Sequence, residues 1–260
     1  MNVEMLKQMV PIPNILENST YLFVGPHPDD IEVGAGGLVA KLVEDGKKVI
    51  FMIVTDGGSG STNPIANIEL LIETRRQESA ESSAFLGVNE IYYLDYPDGC
   101  EYSVDDVSKK MARIIIETNP DVIICPDPFM PSELHPDHVK TGNATTKALL
   151  MSNFPLIAKR NFIAYDESQE SHFKSRIIAF YYTNRVNQVI HLSKEQTNKR
   201  TISIQKHVSQ FESIESMQTI QYYLQMRGKS LMTEVGFESS EGYFVLGPVH
   251  QHCFPEINFY

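Results

Sequence analysis

The apolar run Tyr21-Leu22-Phe23-Val24 stops at Gly25-Pro26, and an imidazole and two carboxylates follow at once in His27-Pro28-Asp29-Asp30. No other stretch constrains the chain as strongly. A short run without a polar residue reads as a strand buried on both faces, the habit of parallel sheets. In an open α/β sheet, ligands bind in the crevice beyond the carboxyl ends of the strands. His27, Asp29 and Asp30 therefore stand where a site belongs. A second cluster, His135-Pro136-Asp137-His138, follows the apolar stretch 121–125 by way of the proline-rich loop 126–131. The two clusters are expected to meet across one site.

Taken in order, residues 1–19 read as a loosely packed arm. A helix is expected over 34–45, with Leu38, Val39, Leu42 and Val43 on one face and Gly46 as its stop. Residues 48–55 read as the second strand, and the loop Asp56-Gly57-Gly58-Ser59-Gly60-Ser61 lies at its carboxyl end. A long helix over 68–86 ends at Gly87. A short strand over 90–94 leads to Asp98, Ser103 caps a helix to about 118, and another helix runs from about 136 to 150. Strands alternating with helices predict an α/β fold with a mostly parallel sheet and right-handed crossovers. Beyond Pro155 the pattern changes. Residues 162–175 read as loop, 176–183 and 188–192 as strands, 193–227 as one or two helices, and 243–254 as irregular. The expectation is one domain over 1–260, with a core of about 20–152 and an irregular α+β extension of about 153–260.

Composition narrows the function. A formal net charge of -11 repels phosphate backbones and anionic membranes, so neither nucleic acid nor membrane is an expected partner. Cys100, Cys125 and Cys253 have no CxxC spacing, which points to reduced thiols and a cytoplasmic protein. Residues 1–19 carry Glu4, Pro11, Pro13 and Glu17 and no apolar stretch of the kind a signal peptide needs. The apolar run from Val49 to Val54 is far too short to span a bilayer.

Catalytic zinc usually has three protein ligands and one open position for water. His27 and Asp30, three residues apart, can face one ion from a turn entering a helix, and His138 can supply the third ligand. Asp29 is then a carboxylate beside the ion, the position for a general base. Either cluster alone also fits a helix start, since Pro and Asp favour a first turn. Two such clusters, each after an apolar strand and each with histidine, favour the site.

Gly34-Ala35-Gly36 suggests a dinucleotide fingerprint, but Val39 stands where the third glycine or alanine belongs, so close helix packing explains these glycines better. Gly57, Gly58 and Gly60 lack the lysine of a phosphate loop and read as a mobile rim. Arg75 and Arg76 would ordinarily be solvated, and His172, His191 and His207 are isolated and read as surface or structural residues. His250 and His252 flank Gln251, with surface and site placement equally open. No Gly-x-Ser-x-Gly occurs, which sets aside a serine nucleophile.

The two clusters resemble the zinc-dependent N-deacetylases of the PIG-L/LmbE type, the family that includes the GlcNAc-phosphatidylinositol, mycothiol-pathway and bacillithiol-pathway deacetylases. Supporting segments are 27–37, Thr55-Asp56-Gly57, Arg75-Arg76-Gln77-Glu78, Asp127-Pro128, 133–138, Thr141-Gly142 and 181–185, and they look most similar to the diacetylchitobiose deacetylase branch. Pro26 departs from the commoner alanine before the histidine. The resemblance implies an LmbE-like, Rossmann-like fold with one Zn2+ per subunit held by His27, Asp30 and His138. It implies Asp29 as general base, and His135, oriented by Asp137, as oxyanion stabiliser and donor to the leaving amine. It places Arg75 and Asp98 on sugar hydroxyls, and brings His250 or His252 to a neighbouring subunit's site in a homo-oligomer, expected to be a hexamer. The implied reaction removes acetyl from an N-acetylglucosamine-type sugar, at the non-reducing end of diacetylchitobiose or a related short saccharide. Alternatives are another GlcNAc conjugate such as a GlcNAc-malate, a nucleotide-cofactor enzyme, or a catalytically silent sugar-binding module.

Overall fold

The computed structural model describes residues 3–211 and 213–260. The chain order is α1 (Val3–Met9), β1 (Thr20–Gly25), α2 (Asp30–Glu44), β2 (Lys48–Thr55), α3 (Ile68–Leu86), β3 (Glu90–Tyr96), α4 (Val104–Thr118), β4 (Val122–Pro126), α5 (Pro136–Asn153), α6 (Pro155–Arg160), β5 (Ile177–Tyr181), β6 (Gln188–Leu192), α7 (Lys194–Gln205), α8 (Ile214–Ser230) and β7 (Ser239–Leu246). The strands form one seven-stranded sheet in the order β3-β2-β1-β4-β5-β7-β6. β1 to β5 run parallel, and β7 runs antiparallel to both β5 and β6.

Side chains alternate across β1. Tyr21 and Phe23 enter one core with Ile31, Leu38 and Leu42 of α2, while Leu22 and Val24 enter the other with Ile115 of α4 and Ala148 of α5. Both faces are covered, so the strands need no polar residue. The order reverses between β1 and β4, because the chain proceeds to β2 and β3 on one side and to β5 on the other. The loops leaving β1 and β4 therefore open into the switch-point crevice of a doubly wound sheet, and they carry the two clusters.

Three expectations are corrected. α2 starts at Asp30 and not at Gly34: acidic residues suit a helix N-terminus, and the helix continues through the glycines because partners pack onto them. The N-terminal arm is docked. Ile15 is fully buried, its N–H donates to Gln188 Oε1 at 3.0 Å, and Gln188 Nε2 donates to Pro13 O at 3.0 Å. The stretch 243–254, read as irregular, holds the second half of β7, an internal strand. Its start, Ser239-Ser240-Glu241, is buried but polar, so apolar patterning could not reveal it.

Candidate metal centre

The turn after β1 brings His27 back onto the first residue of α2. The His27 backbone N–H donates to Asp30 Oδ2 at 2.9 Å, and His27 Nδ1 lies 2.9 Å from the same oxygen. Asp30 Oδ1 is 3.4 Å from His138 Nε2, on the first turns of α5. His27, Asp30 and His138 thus offer ligand atoms that all lie within 4.8 Å of one another. The donor set fits a metal. Two imidazoles and a carboxylate suit zinc, and carboxylates lie close to the far nitrogen of each imidazole. His27 Nε2 faces Asp98 Oδ1 at 3.1 Å and Asp137 Oδ2 at 3.5 Å, and His138 Nδ1 lies 3.0 Å from Glu133 Oε2.

Charge follows this geometry. Burial works against the Asp30 carboxylate, but His138 and His27 hold its pKa well below the usual range. Burial likewise works against charge on His27, yet Asp137, Asp30 and Asp98 raise its pKa well above that of an ordinary imidazole. Asp137 is held at about 2: burial opposes its charge, but His27 and the Gly99 N–H outweigh it. Asp29 goes the other way, its carboxyl raised by burial and by the charge of Asp30. As N-cap of α2 it makes no side-chain cap bond, which leaves its carboxylate uncommitted to the helix.

His135 is the N-cap of α5 and is exposed, its ring edge-on to His27 at 4.7 Å between centroids. Its Nδ1 accepts from the Asp137 backbone N–H at 3.3 Å, so in the neutral ring the proton sits on Nε2. Asp137 meets His135 through its amide, while its carboxylate accepts from Gly99 N at 2.8 Å and faces His27. A second group, His27, Asp98, His135 and Asp137, also converges within 4.8 Å.

The remaining expected residues lie further out. Arg75 is 3% exposed and clamps the glycine loop, donating from Nη1 to Gly57 O and from Nη2 to Gly60 O, each at 2.7 Å. This corrects the solvated reading of Arg75 and shows a loop tied down rather than a free rim. Ser59 N of that loop donates to Asp98 Oδ2 at 3.1 Å, so Arg75 and Asp98 brace one another through it. Arg76 is half-exposed, pairs with Asp95 and covers the Tyr93 ring. His250 is 6% exposed and occupied within the chain: Nδ1 accepts from Gly247 N at 3.1 Å, and Nε2 lies 3.3 Å from Val10 O. His252 is exposed beside Cys253. Neither belongs to the His/Asp groups of this chain.

Four participants were missed. Tyr182 takes a left-handed backbone (φ 54°), stacks on His138 with 7° between ring planes, and places its hydroxyl 3.4 Å from Asp30 Oδ1. Glu133 braces both His138 and, through Oε1, the His135 N–H at 2.8 Å. Glu32 and His207, both buried, pair at 3.2 Å one turn behind Asp29. Glu32, Glu133 and Tyr182 stand within segments that carry the resemblance, 27–37, 133–138 and 181–185; His207 comes from a distant segment without such a signal.

Two histidines and a carboxylate facing one point at a switch-point crevice, with an uncommitted carboxylate alongside, define a hydrolytic site of the metal-binding α/β class. Residues 22–149 match the PIG-L family, described as GlcNAc-PI de-N-acetylase. The chain is 31% identical over 190 residues to a diacetylchitobiose deacetylase of Thermococcus kodakarensis, covering 73% of this chain and 69% of that protein. It is 34% identical over 134 residues to a probable N-acetyl-alpha-D-glucosaminyl L-malate deacetylase 2 of Bacillus cereus, covering 49% and 60%. The structure of N,N'-diacetylchitobiose deacetylase from Pyrococcus horikoshii, complexed with its inhibitor MPG, superposes with a TM-score of 0.85 at 28% identity, over 97% of this chain and 94% of that one. The chain belongs to the PIG-L family and is an amide hydrolase of the N-deacetylase class.

Proposed function

We propose that this enzyme removes acetyl from N-acetylglucosamine at the non-reducing end of a short saccharide of the diacetylchitobiose kind, with zinc as its metal. The observation that carries the reading is the His27–Asp30–His138 group with Asp29 beside it, in a chain similar over nearly its whole length to a diacetylchitobiose deacetylase. Similarity to a GlcNAc-malate deacetylase favours a second reading, in which the amino sugar is the same and its conjugate differs.

Zinc held by His27, Asp30 and His138 would polarise the amide carbonyl and lower the pKa of water from about 15.7 toward about 7. Asp29 takes the proton of the attacking water. Its raised pKa suits a base that must later give that proton up. His135 is kept below the ordinary imidazole range by burial and by His27 and His138, so it stays neutral and points an Nε2–H donor outward. That donor meets the carbonyl oxygen as negative charge develops there. The C–N bond then breaks as the nitrogen takes the proton Asp29 received, with His135 helping to deliver it; the second proton of the water also ends on the nitrogen, and acetate and the ammonium form of the amino sugar leave. The sugar lies on the side of Asp98 and the glycine loop, with Arg75 holding that loop in place.

The proposal extends to a homo-oligomer, a hexamer, in the cytoplasm. The free, exposed Cys100 and Cys253 suit a reducing compartment. Leu150, Phe154, Leu156 and Phe162 expose apolar surface around the α5–α6 corner, which suits a subunit contact. Among the described residues no helix is long and apolar enough to cross a membrane.

The test is metal analysis of the purified protein together with acetate release from a panel of N-acetylated sugars. About one zinc per chain and release from the disaccharide are expected. Zinc-loaded protein that releases acetate from no amino sugar would overturn the reading.

A further inference from the structure

A cavity of about 320 Å³ opens directly from His138, walled by Val33 and Gly34 of α2, Met130, Tyr182, and Ile220 and Leu224 of α8. Of the candidate site residues His27, Asp29, Asp30, His135 and His138, His138 alone lines it, and Asp98, Asp137 and Arg75 do not, so it lies on the other side of His138 from the proposed sugar position. A water-sized group takes about 30 Å³. The methyl of an acetyl group would therefore leave nearly all of this space empty.

The chemistry of the walls separates a sugar from a hydrocarbon. A sugar needs donors and acceptors free to meet its hydroxyls, and here the charged groups are largely committed. The Glu241 carboxylate accepts from Gly37 N and Leu38 N at 2.8 Å, from Tyr243 OH at 2.8 Å and from Arg200 Nη1 at 3.1 Å. Arg227 Nη2 donates to Thr183 O at 2.8 Å, and Tyr182 OH is turned to Asp30. Arg200 Nε is buried without a partner, and the Ser132 and Tyr223 hydroxyls also line the cavity. The apolar wall that remains is what an alkyl chain requires, and clefts of about 300–1,000 Å³ are of ligand size.

We infer that this cavity receives the acyl half of the scissile amide, and that the enzyme accepts N-acyl amino sugars with unbranched chains several carbons longer than acetyl. The inference rests on the deacetylase reading above. With the carbonyl at His27, Asp30 and His138 and the sugar toward Asp98, the acyl carbon points past His138 into the space between α2 and α8. The longer chain changes no bond in the reaction: water adds to the carbonyl, the C–N bond breaks, and a fatty acid leaves in place of acetate.

The experiment measures binding and turnover across N-acetyl-, N-butyryl- and N-hexanoylglucosamine and N,N'-diacetylchitobiose. Binding is followed by calorimetry on the metal-free wild-type protein and on Ile220→Trp, which puts bulk into the cavity from α8. Affinity should rise roughly fourfold for each methylene buried, and Ile220→Trp should shrink that gain. Turnover of the zinc-loaded wild type should release butyrate and hexanoate as well as acetate. Affinity that is flat or falls with chain length overturns the acyl pocket, even where acetate release stands. So does a gain that appears for the disaccharide instead and is lost in Ile220→Trp, which makes the cavity a second sugar site. Protein that releases no acid from any of the four, but binds the longer chains more tightly, keeps the pocket and removes the deacetylase reading.

Discussion

Asp29 and Asp30 are chemically identical neighbours, and the fold sends their carboxyls in opposite directions. Asp30 is ringed by His27 and His138 and stays ionised, whereas Asp29, half-buried next to that charge, holds its proton more readily. Asp29→Asn should therefore keep its zinc and lose the base. His135→Ala should also keep zinc, because no ligand changes, and should lower kcat roughly a hundred- to a thousandfold, the loss typical of one oxyanion donor, with KM moving little. Metal content and steady-state kinetics of the two purified variants check this. A His135→Ala protein without zinc would move a ligand role to His135, and one that turns over at the wild-type rate would remove His135 from the chemistry. At this scale the sequence was informative where a site residue sits within a few positions of a strand end, as in His27 to Asp30 and His135 to His138. It did not show what Tyr182 and His207 touch, because their contacts with Asp30 and Glu32 are made only when β5 and α7 pack against α2. It misjudged Arg75, because an arginine on a helix with no apolar stripe gives no sign that a loop will fold over it.

At the scale of elements, α2 decides most of the active-site side of the sheet. Its glycines are there for their neighbours. A Cβ on Gly34 would come within 2.4 Å of the Tyr181 ring, and one on Gly37 within 2.2 Å of Leu192 and 2.7 Å of Glu241 Oε1. At an exposed helical position, glycine to alanine gains about 1 kcal/mol. Here Gly34→Ala should instead destabilise by about 1–3 kcal/mol, since Tyr181 is fully buried and cannot retreat without strain. Urea unfolding of the two proteins tests it, and a variant as stable as wild type would mean the β5–α2 contact is looser than it looks. The parallel half of the sheet was legible because its strands are apolar throughout and its helices end at Gly46 and Gly87, both with positive φ. β7 was not legible, because the residues that begin it, Ser239 to Gly242, are polar for a reason lodged elsewhere. Glu241 receives two N–H groups of α2 and the Arg200 guanidinium.

For the whole molecule, the first question is how many copies act together. Light scattering should report a multiple of 29.4 kDa, with six copies expected, and a monomer at working concentration would remove the proposed oligomer. The second concerns how one copy comes into being. The far end of the sheet is laid down out of order, since β6 (Gln188–Leu192) sits at the edge and its one neighbour in the sheet is β7 (Ser239–Leu246), made much later. A ribosome adds about 5–20 residues each second, so for some seconds β5 has an open edge and β6 has nothing to pair with. During that interval the nascent chain carries an unsatisfied row of backbone donors and acceptors, the template on which two growing copies on one messenger could join wrongly. Synthesis of Ser239 to Leu246 ends the hazard by filling the slot between two strands that have been waiting for it.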